Sequence, residues 1–155
     1  MPKYIEVRND VFVTGSVACD QKVIREFYRA NVDTFVKAFD EAKKILKLSK
    51  DDVNMFFRNI RKVGTQGQFN LDKNEIAIDV RSYDVKSIVK TIIHELTHVK
   101  QVRAGKLKGA KNGFVWDNKE FGEAKSHEEY LEFPWEIEAR ANADKYIDEV
   151  MKKIK

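Results

Sequence analysis

Two of the chain's three histidines stand four residues apart in KTIIHELTHVKQ, residues 90–101, and a glutamate directly follows the first. On a helix, side chains at i and i+4 share a face, with Cβ atoms about 5–6 Å apart. Two imidazoles at that separation, here His94 and His98, can converge on one zinc ion at bonds of about 2.0–2.1 Å. Glu95 lies at the edge of the same face. It is displaced too far to be the natural third ligand, yet close enough to reach a water on the metal. A carboxylate there can take the proton of a water whose pKa zinc lowers towards about 7. The alternative is a polar helix surface that spells the same letters, which a shuffled chain of this composition would do roughly once in three hundred. The setting is not that of a surface, because Ile88, Val89, Ile92, Ile93, Leu96 and Val99 make the helix broadly apolar. The pattern predicts a central helix whose histidines face a cleft.

HELTH within IIHELTHVKQ resembles the zinc-binding helix of the zincin metallopeptidases. The flanking apolar residues and Gln101 are similar to those of small stand-alone bacterial and phage zincin-like proteins. The resemblance covers the second half of the chain, from the strands near Phe69 to the C-terminal helix, and does not extend to the first sixty residues. It implies a zinc cofactor, a peptide or protein substrate, and hydrolysis of a peptide bond by a water that Glu95 activates.

Two histidines leave a zinc site incomplete, so a third protein ligand is required. The metzincin pattern would place a third histidine soon after the second, and HVKQVRAGKLKG contains none. The later segment YLEFPWEIEARANADKYI resembles the second signature of gluzincins, in which a glutamate of a Glu-x-x-Ala pattern completes the site. Two registers fit, Glu136 with Ala139 and Glu138 with Ala141, and the Pro-x-Glu-x-Glu-Ala form of PWEIEA favours Glu136. A carboxylate near a helix N-terminus is also favoured by the helix dipole alone. His127, in the polar stretch KSHEEY, stays open as well, because SprT-like and Spartan-type proteases acting on DNA-bound proteins complete the motif with histidine.

Arg140 and Asn142 follow the two glutamates by four residues and are candidates to orient a ligand. Tyr130, shortly before the proposed ligand, could donate to a developing oxyanion, although packing is the commoner fate of a tyrosine. Trp116 and Trp135 read as core or cleft wall rather than as a cofactor site. NEIAIDV resembles the edge strand along which zincins lay an extended substrate by β-augmentation.

The elements that must hold these residues read as a single α+β domain over residues 1–155, a small mixed sheet packed on helices. KYIEVR and DVFVTG alternate around Asn9-Asp10 and predict an N-terminal hairpin. Asp20 can cap a long helix from Gln21, with Val23, Phe27, Phe35, Phe39, Ala42 and Leu46 as its apolar face. VNMFFRNIRKV reads as a strand broken by Gly64 and Gly67, and GQFNL and NEIAIDV as two more, joined by a turn at 72–74. Asp84 can cap the histidine-bearing helix, which should stop near Gly105. LKGAKNG reads as a loop, and FVWDNKEF fits either a strand or an irregular segment. Pro134 suits the first turn of a final helix.

Composition narrows the function classes. An apolar share of 43% with 35% charged residues fits a soluble globular chain long enough to bury a core. No apolar run approaches a membrane span, and MPKYIEVRNDVFV carries charges where a signal peptide needs an apolar segment. A cytoplasmic protein is expected, in the host cytoplasm if the product is viral. The single cysteine, Cys19, excludes an internal disulfide and a thiolate zinc knuckle. It reads as a small buried apolar residue, with latency through metal capping as the functional alternative. The net charge of +4 is spread among carboxylates and does not call for a nucleic-acid partner. Besides the peptidase, a zincin fold reused as a binding or regulatory module fits the chain, and a purely structural role for the metal there would not need Glu95.

Overall fold

The structure, a computed structural model, describes residues 4–14, 21–58, 60, 67–79 and 84–155. Cys19 and the proposed cap Asp20 lie outside the described residues, as do Gly64 and the end of the strand read through Val63. Strands β1 (Tyr4–Arg8) and β2 (Val11–Thr14) form the expected antiparallel hairpin, with a register shift between Glu6 and Arg8. Helix α1 (Gln21–Ile45) carries Phe35, Phe39 and Ala42 into the core. It ends where Lys47 takes a left-handed conformation (φ 61°), and Leu48 N–H closes back on the Lys43 carbonyl at 2.7 Å.

Strands β3 (Asn54–Arg58), β4 (Gly67–Asn70) and β5 (Glu75–Asp79) complete a mixed sheet of order β1-β2-β3-β5-β4. β2 pairs parallel to β3 and β3 parallel to β5, while β4 returns antiparallel to β5. Met55 and Phe57 of β3 stand in register with Ile76 and Ile78 of β5. Period-two alternation puts all four on one face, where they meet α1 and helix α2 (Val85–Arg103). Phe12 and Phe56 stack on the other face at 4.9 Å.

α2 is capped as expected, the Asp84 carboxylate accepting from Ser87 N–H and Oγ–H at 3.1 and 2.7 Å. It ends two residues before Gly105, which adopts φ +76°. Ile88, Val89, Ile92, Ile93, Leu96 and Val99 are all buried, so the helix is central because it packs on the sheet, on α1 and on the last helix. No described helix is long and apolar enough to cross a membrane.

LKGAKNG is not a loop. β6 (Leu107–Ala110), β7 (Gly113–Trp116) and β8 (Lys119–Gly122) form a separate antiparallel three-stranded sheet. FVWDNKEF is accordingly a hairpin, turned at Asp117 and Asn118 with φ of 51° and 69°, the type I′ geometry that matches strand twist. At the start of β7, Gly113 has φ +141°, and a Cβ there would stand 2.1 Å from the Phe121 carbonyl oxygen, so only glycine fits. The short helix α3 (His127–Leu131), capped by Ser126, and α4 (Pro134–Lys153), with proline in its first turn, end the chain. Leu107, Phe133 and Trp135 form a second apolar cluster, with Leu71, Val102, Trp116, Phe121 and Ala124 packed around it.

Candidate metal centre

α4 runs against α2 in the opposite sense. Lys86 and Lys90 near the start of α2 pair with Asp148 and Asp144 late in α4, at 3.8 and 2.6 Å. The first turn of α4 therefore faces the middle of α2. Pro134 starts the helix, and Glu136 follows in its first turn, buried to 4%. The Oε1 atom of Glu136 stands 3.1 Å from His94 Nε2, and its Oε2 2.8 Å from His98 Nε2. The two imidazole rings are 5.1 Å apart, nearly perpendicular.

His94, His98 and Glu136 thus form a cluster whose ligand atoms all lie within 4.8 Å of one another, and it could hold a metal ion. The donor set of two imidazoles and one carboxylate suits zinc. Ligand atoms on a tetrahedron of zinc bonds stand about 3.3 Å apart, close to the two glutamate–histidine separations of 3.1 and 2.8 Å.

Gln101, one turn after His98, organises the cluster. Its side-chain oxygen lies 2.9 Å from His98 Nδ1, and its amide nitrogen donates to the Trp135 carbonyl at 3.0 Å and to Glu138 Oε1 at 3.1 Å. An amide oxygen only accepts, so His98 Nδ1 carries the proton and Nε2 is the atom turned to Glu136. Gln101 is 2% exposed, and two of its three hydrogen bonds tie α2 to the start of α4. Glu138, the other register, is thereby engaged away from the histidines. Phe69 of β4 covers His98, with ring centroids 6.0 Å apart.

Glu95 is also buried, at 6% exposure. Burial pushes its pKa up, opposed by the nearby His98 and His94 and assisted by the charge of Glu136. The carboxylate lies against β4. A Cβ on Gly67 would stand 2.6 Å from Thr91 Cγ2 and 3.0 Å from both Glu95 Cγ and Oε2. Gly67 is therefore not merely a strand breaker, because its missing side chain is the space that Glu95 and Thr91 occupy.

The charges in the cluster hold one another. Burial disfavours the charged form of Glu136, but hydrogen bonds from His94 and His98 and their charges outweigh it and hold the carboxyl well below the usual range. Burial works against an imidazolium at His98. Its hydrogen bond to Glu136, the charges of Glu95 and Glu136, and the bond to Gln101 raise the pKa to about 9 all the same.

Tyr130 is 42% exposed, and its hydroxyl hydrogen-bonds to Glu136; burial, the charges of Glu136 and Glu95, and that bond hold its pKa far above the usual phenol value. His127 is exposed on α3, stacks on Tyr130 at 6.1 Å and lines the cleft, but is outside the His94–His98–Glu136 cluster. Arg140 Nη2 donates to the Leu131 carbonyl at 2.6 Å, and Asn142 reaches Thr97 Oγ1 at 3.5 Å. The side chain that hydrogen-bonds a histidine of the cluster is Gln101 instead, legible in principle from its i+3 spacing to His98.

One further expectation is corrected. NEIAIDV is not the edge strand: β5 lies between β3 and β4 and is buried along nearly its whole length. The hairpin folds back so that the more exposed β4 takes the edge, and Gly67, Gln68, Phe69 and Asn70 line the cleft with His94, Glu95 and His98. Trp135 does line the cleft wall, at 3% exposure, with Trp116 beside it at 6.2 Å. Comparison of the chain with protein-family models, with curated proteins and with solved structures finds no match.

Proposed function

We propose that the protein is a zinc-dependent peptidase of gluzincin-like type, in which His94, His98 and Glu136 hold the metal and Glu95 is the general base. The observation that carries the proposal is the convergence of two imidazoles and a buried carboxylate from a second helix, beside another buried carboxylate with a raised pKa. Zinc, when bound, supplies Lewis acidity towards a carbonyl and lowers the pKa of the water it holds. Glu95 accepts the proton of the attacking water and can return it to the leaving amine, a task suited to a carboxylate whose pKa burial raises. The Tyr130 hydroxyl, its proton tightly held, donates to the oxyanion as charge develops there. Among the described residues β4 is an outermost strand and lines the cleft, an edge along which an extended peptide can pair, and this favours a peptide over a small-molecule substrate. Gln101 keeps His98 in the tautomer that leaves Nε2 for the metal.

The test is metal content by mass spectrometry for the wild type and for His94→Ala, Glu136→Ala, Glu138→Ala and His127→Ala, beside hydrolysis of a denatured protein substrate. Near one zinc per chain is expected, lost in the first two variants and kept in the last two, with Glu95→Gln retaining zinc but not hydrolysis. Loss of zinc with His127→Ala and not with Glu136→Ala would turn the assignment to the Spartan type. Zinc binding with no dependence of any activity on Glu95 would leave a metal-binding module. A wild type that refuses added zinc would refute the proposal.

A further inference from the structure

Among the described residues the most exposed large apolar side chains are Val7, Phe114, Tyr130 and Ile137. Two of them, Phe114 on β7 and Tyr130 on α3, come from different elements and front the same cleft. Isolated apolar residues on a surface need no explanation, but apolar side chains gathered in a concave site do. Polar and apolar side chains both line the cleft along α2. Beside the first half of the helix it is lined by Ser87, Lys90 and Asp144. Beyond the histidines, near the end of α2 and the start of α4, its lining includes the apolar Leu71, Leu107, Phe114 and Trp135.

From this apolar wall we infer that the cleft takes peptides with a bulky apolar side chain, aromatic by preference, on one fixed side of the reacting bond, seated against Phe114. The inference rests on the peptidase reading of the same cleft and adds its substrate class. The support beneath Phe114 is rigid. Its ring centroid lies 5.4 Å from that of Trp135, which in turn stacks on Phe133 at 4.4 Å and meets Phe121 edge-on at 5.4 Å. Trp135 and Phe133 are 3% and 9% exposed, while Phe114 is 37% exposed, so the outermost ring of a packed aromatic stack is left uncovered at the cleft. A preformed apolar wall binds without first being ordered, so burial of the incoming side chain appears almost in full as affinity. Trp135 directly precedes the ligand Glu136, which places the apolar wall next to the metal cluster.

The test uses the full-length zinc-loaded protein and paired peptides that differ only in phenylalanine or alanine at each position flanking the cut. Mass spectrometry locates the cut, and kcat/KM gives the ratio. A preference of about 10- to 100-fold for phenylalanine on one side is expected, the range that burial of one aromatic side chain supplies. Phe114→Ala and Phe114→Gln, each confirmed folded by circular dichroism and zinc content, should reduce that ratio by at least about tenfold, and Phe114→Leu less. Val7→Ala, at an equally exposed apolar position on β1 outside the cleft, is the control and should leave the ratio unchanged. In parallel, binding of the same peptides to zinc-loaded Glu95→Gln is followed by tryptophan fluorescence, because Trp135 and Trp116 lie in the stack. Cleavage with no flanking preference, or a ratio unmoved by Phe114→Ala and Phe114→Gln, overturns the subsite and leaves the peptidase standing. Phe114-dependent binding of the aromatic peptide without any cleavage by the wild type does the opposite. A wild type that neither binds nor cuts either peptide overturns both.

Discussion

Replacing Gly67 by alanine adds one methyl group at the tightest contact near the candidate site. The new Cβ would stand 2.6 Å from Thr91 Cγ2, where ordinary carbon contacts are about 3.5–4.0 Å, so roughly 1 Å of separation must be found. Thr91 cannot simply rotate away, because its hydroxyl donates to the Ser87 carbonyl at 2.9 Å and a β-branched side chain in a helix has few χ1 states. The displacement therefore falls on the spacing of β4 and α2 or on Glu95, whose Cγ and Oε2 would be 3.0 Å from the methyl group. Overpacking of this kind costs about 1–3 kcal/mol. For a chain of this length each kcal/mol lowers Tm by about 2–4 °C, so differential scanning calorimetry should show a fall of several degrees. Under the proposed mechanism, moving the general base by about 1 Å costs on the order of 100-fold in kcat. Zinc affinity should hold, since the atoms nearest the added methyl belong to Thr91 and Glu95 rather than to His94, His98 or Glu136. In a Thr91→Ser background, which deletes Cγ2 and keeps the hydroxyl, most of the stability loss should disappear while the loss of turnover persists. An unchanged Tm together with unchanged turnover in Gly67→Ala would refute the close packing of Gly67 on Thr91 and Glu95.

Gln101→Leu removes the acceptor that fixes His98 and should weaken zinc binding about 10- to 100-fold in competition with a chromophoric chelator; an unaltered affinity would show that packing alone orients the imidazole. With a pKa raised from 6.5 to about 9, His98 is protonated at pH 7.5 in the metal-free protein, and zinc must displace that proton. Titration calorimetry in buffers of different ionisation heat should register proton release near neutral pH that fades above about pH 9. The stabilisation that His98 and Glu136 give the metal-free fold is present below pH 6.5 and is lost as pH rises through about 9, so the Tm gap between zinc-loaded and zinc-free protein should widen over that interval. Lys47→Gly, at φ 61° after α1, should raise stability by about 0.5–1 kcal/mol in urea unfolding, because glycine occupies the left-handed region without a Cβ penalty; a lower midpoint would mean that Lys47 contributes more than its backbone costs.

The sequence alone determined the elements whose signals are local. The apolar period of Ile88 to Val99, the Asp84 cap and the Pro134 start depend on neighbours a turn away, and α2 and α4 fall where those signals put them. The His94–His98 spacing belongs to the same class, since a helix by itself brings i and i+4 together. Other features required distant segments to meet. The Pro-x-Glu-x-Glu-Ala pattern left Glu136, Glu138 and His127 open, and the antiparallel packing of α4 on α2 decided that Glu136 meets both histidines while Glu138 meets Gln101. Gly67 reads locally as a breaker, and its role against Glu95 exists only where β4 crosses α2. NEIAIDV carries the marks of a strand but not its rank in the sheet, because strand order follows from which edges are already paired by β3 and β4. LKGAKNG lacked the apolar alternation of a strand because β6 is exposed after Leu107, and its ladder to β7 is made by backbone groups that every residue type supplies. Local order is set by interactions within a few residues, which the letters specify. The cleft depends on the side-by-side placement of α2, α4, β4 and β7, which only the folded chain brings together.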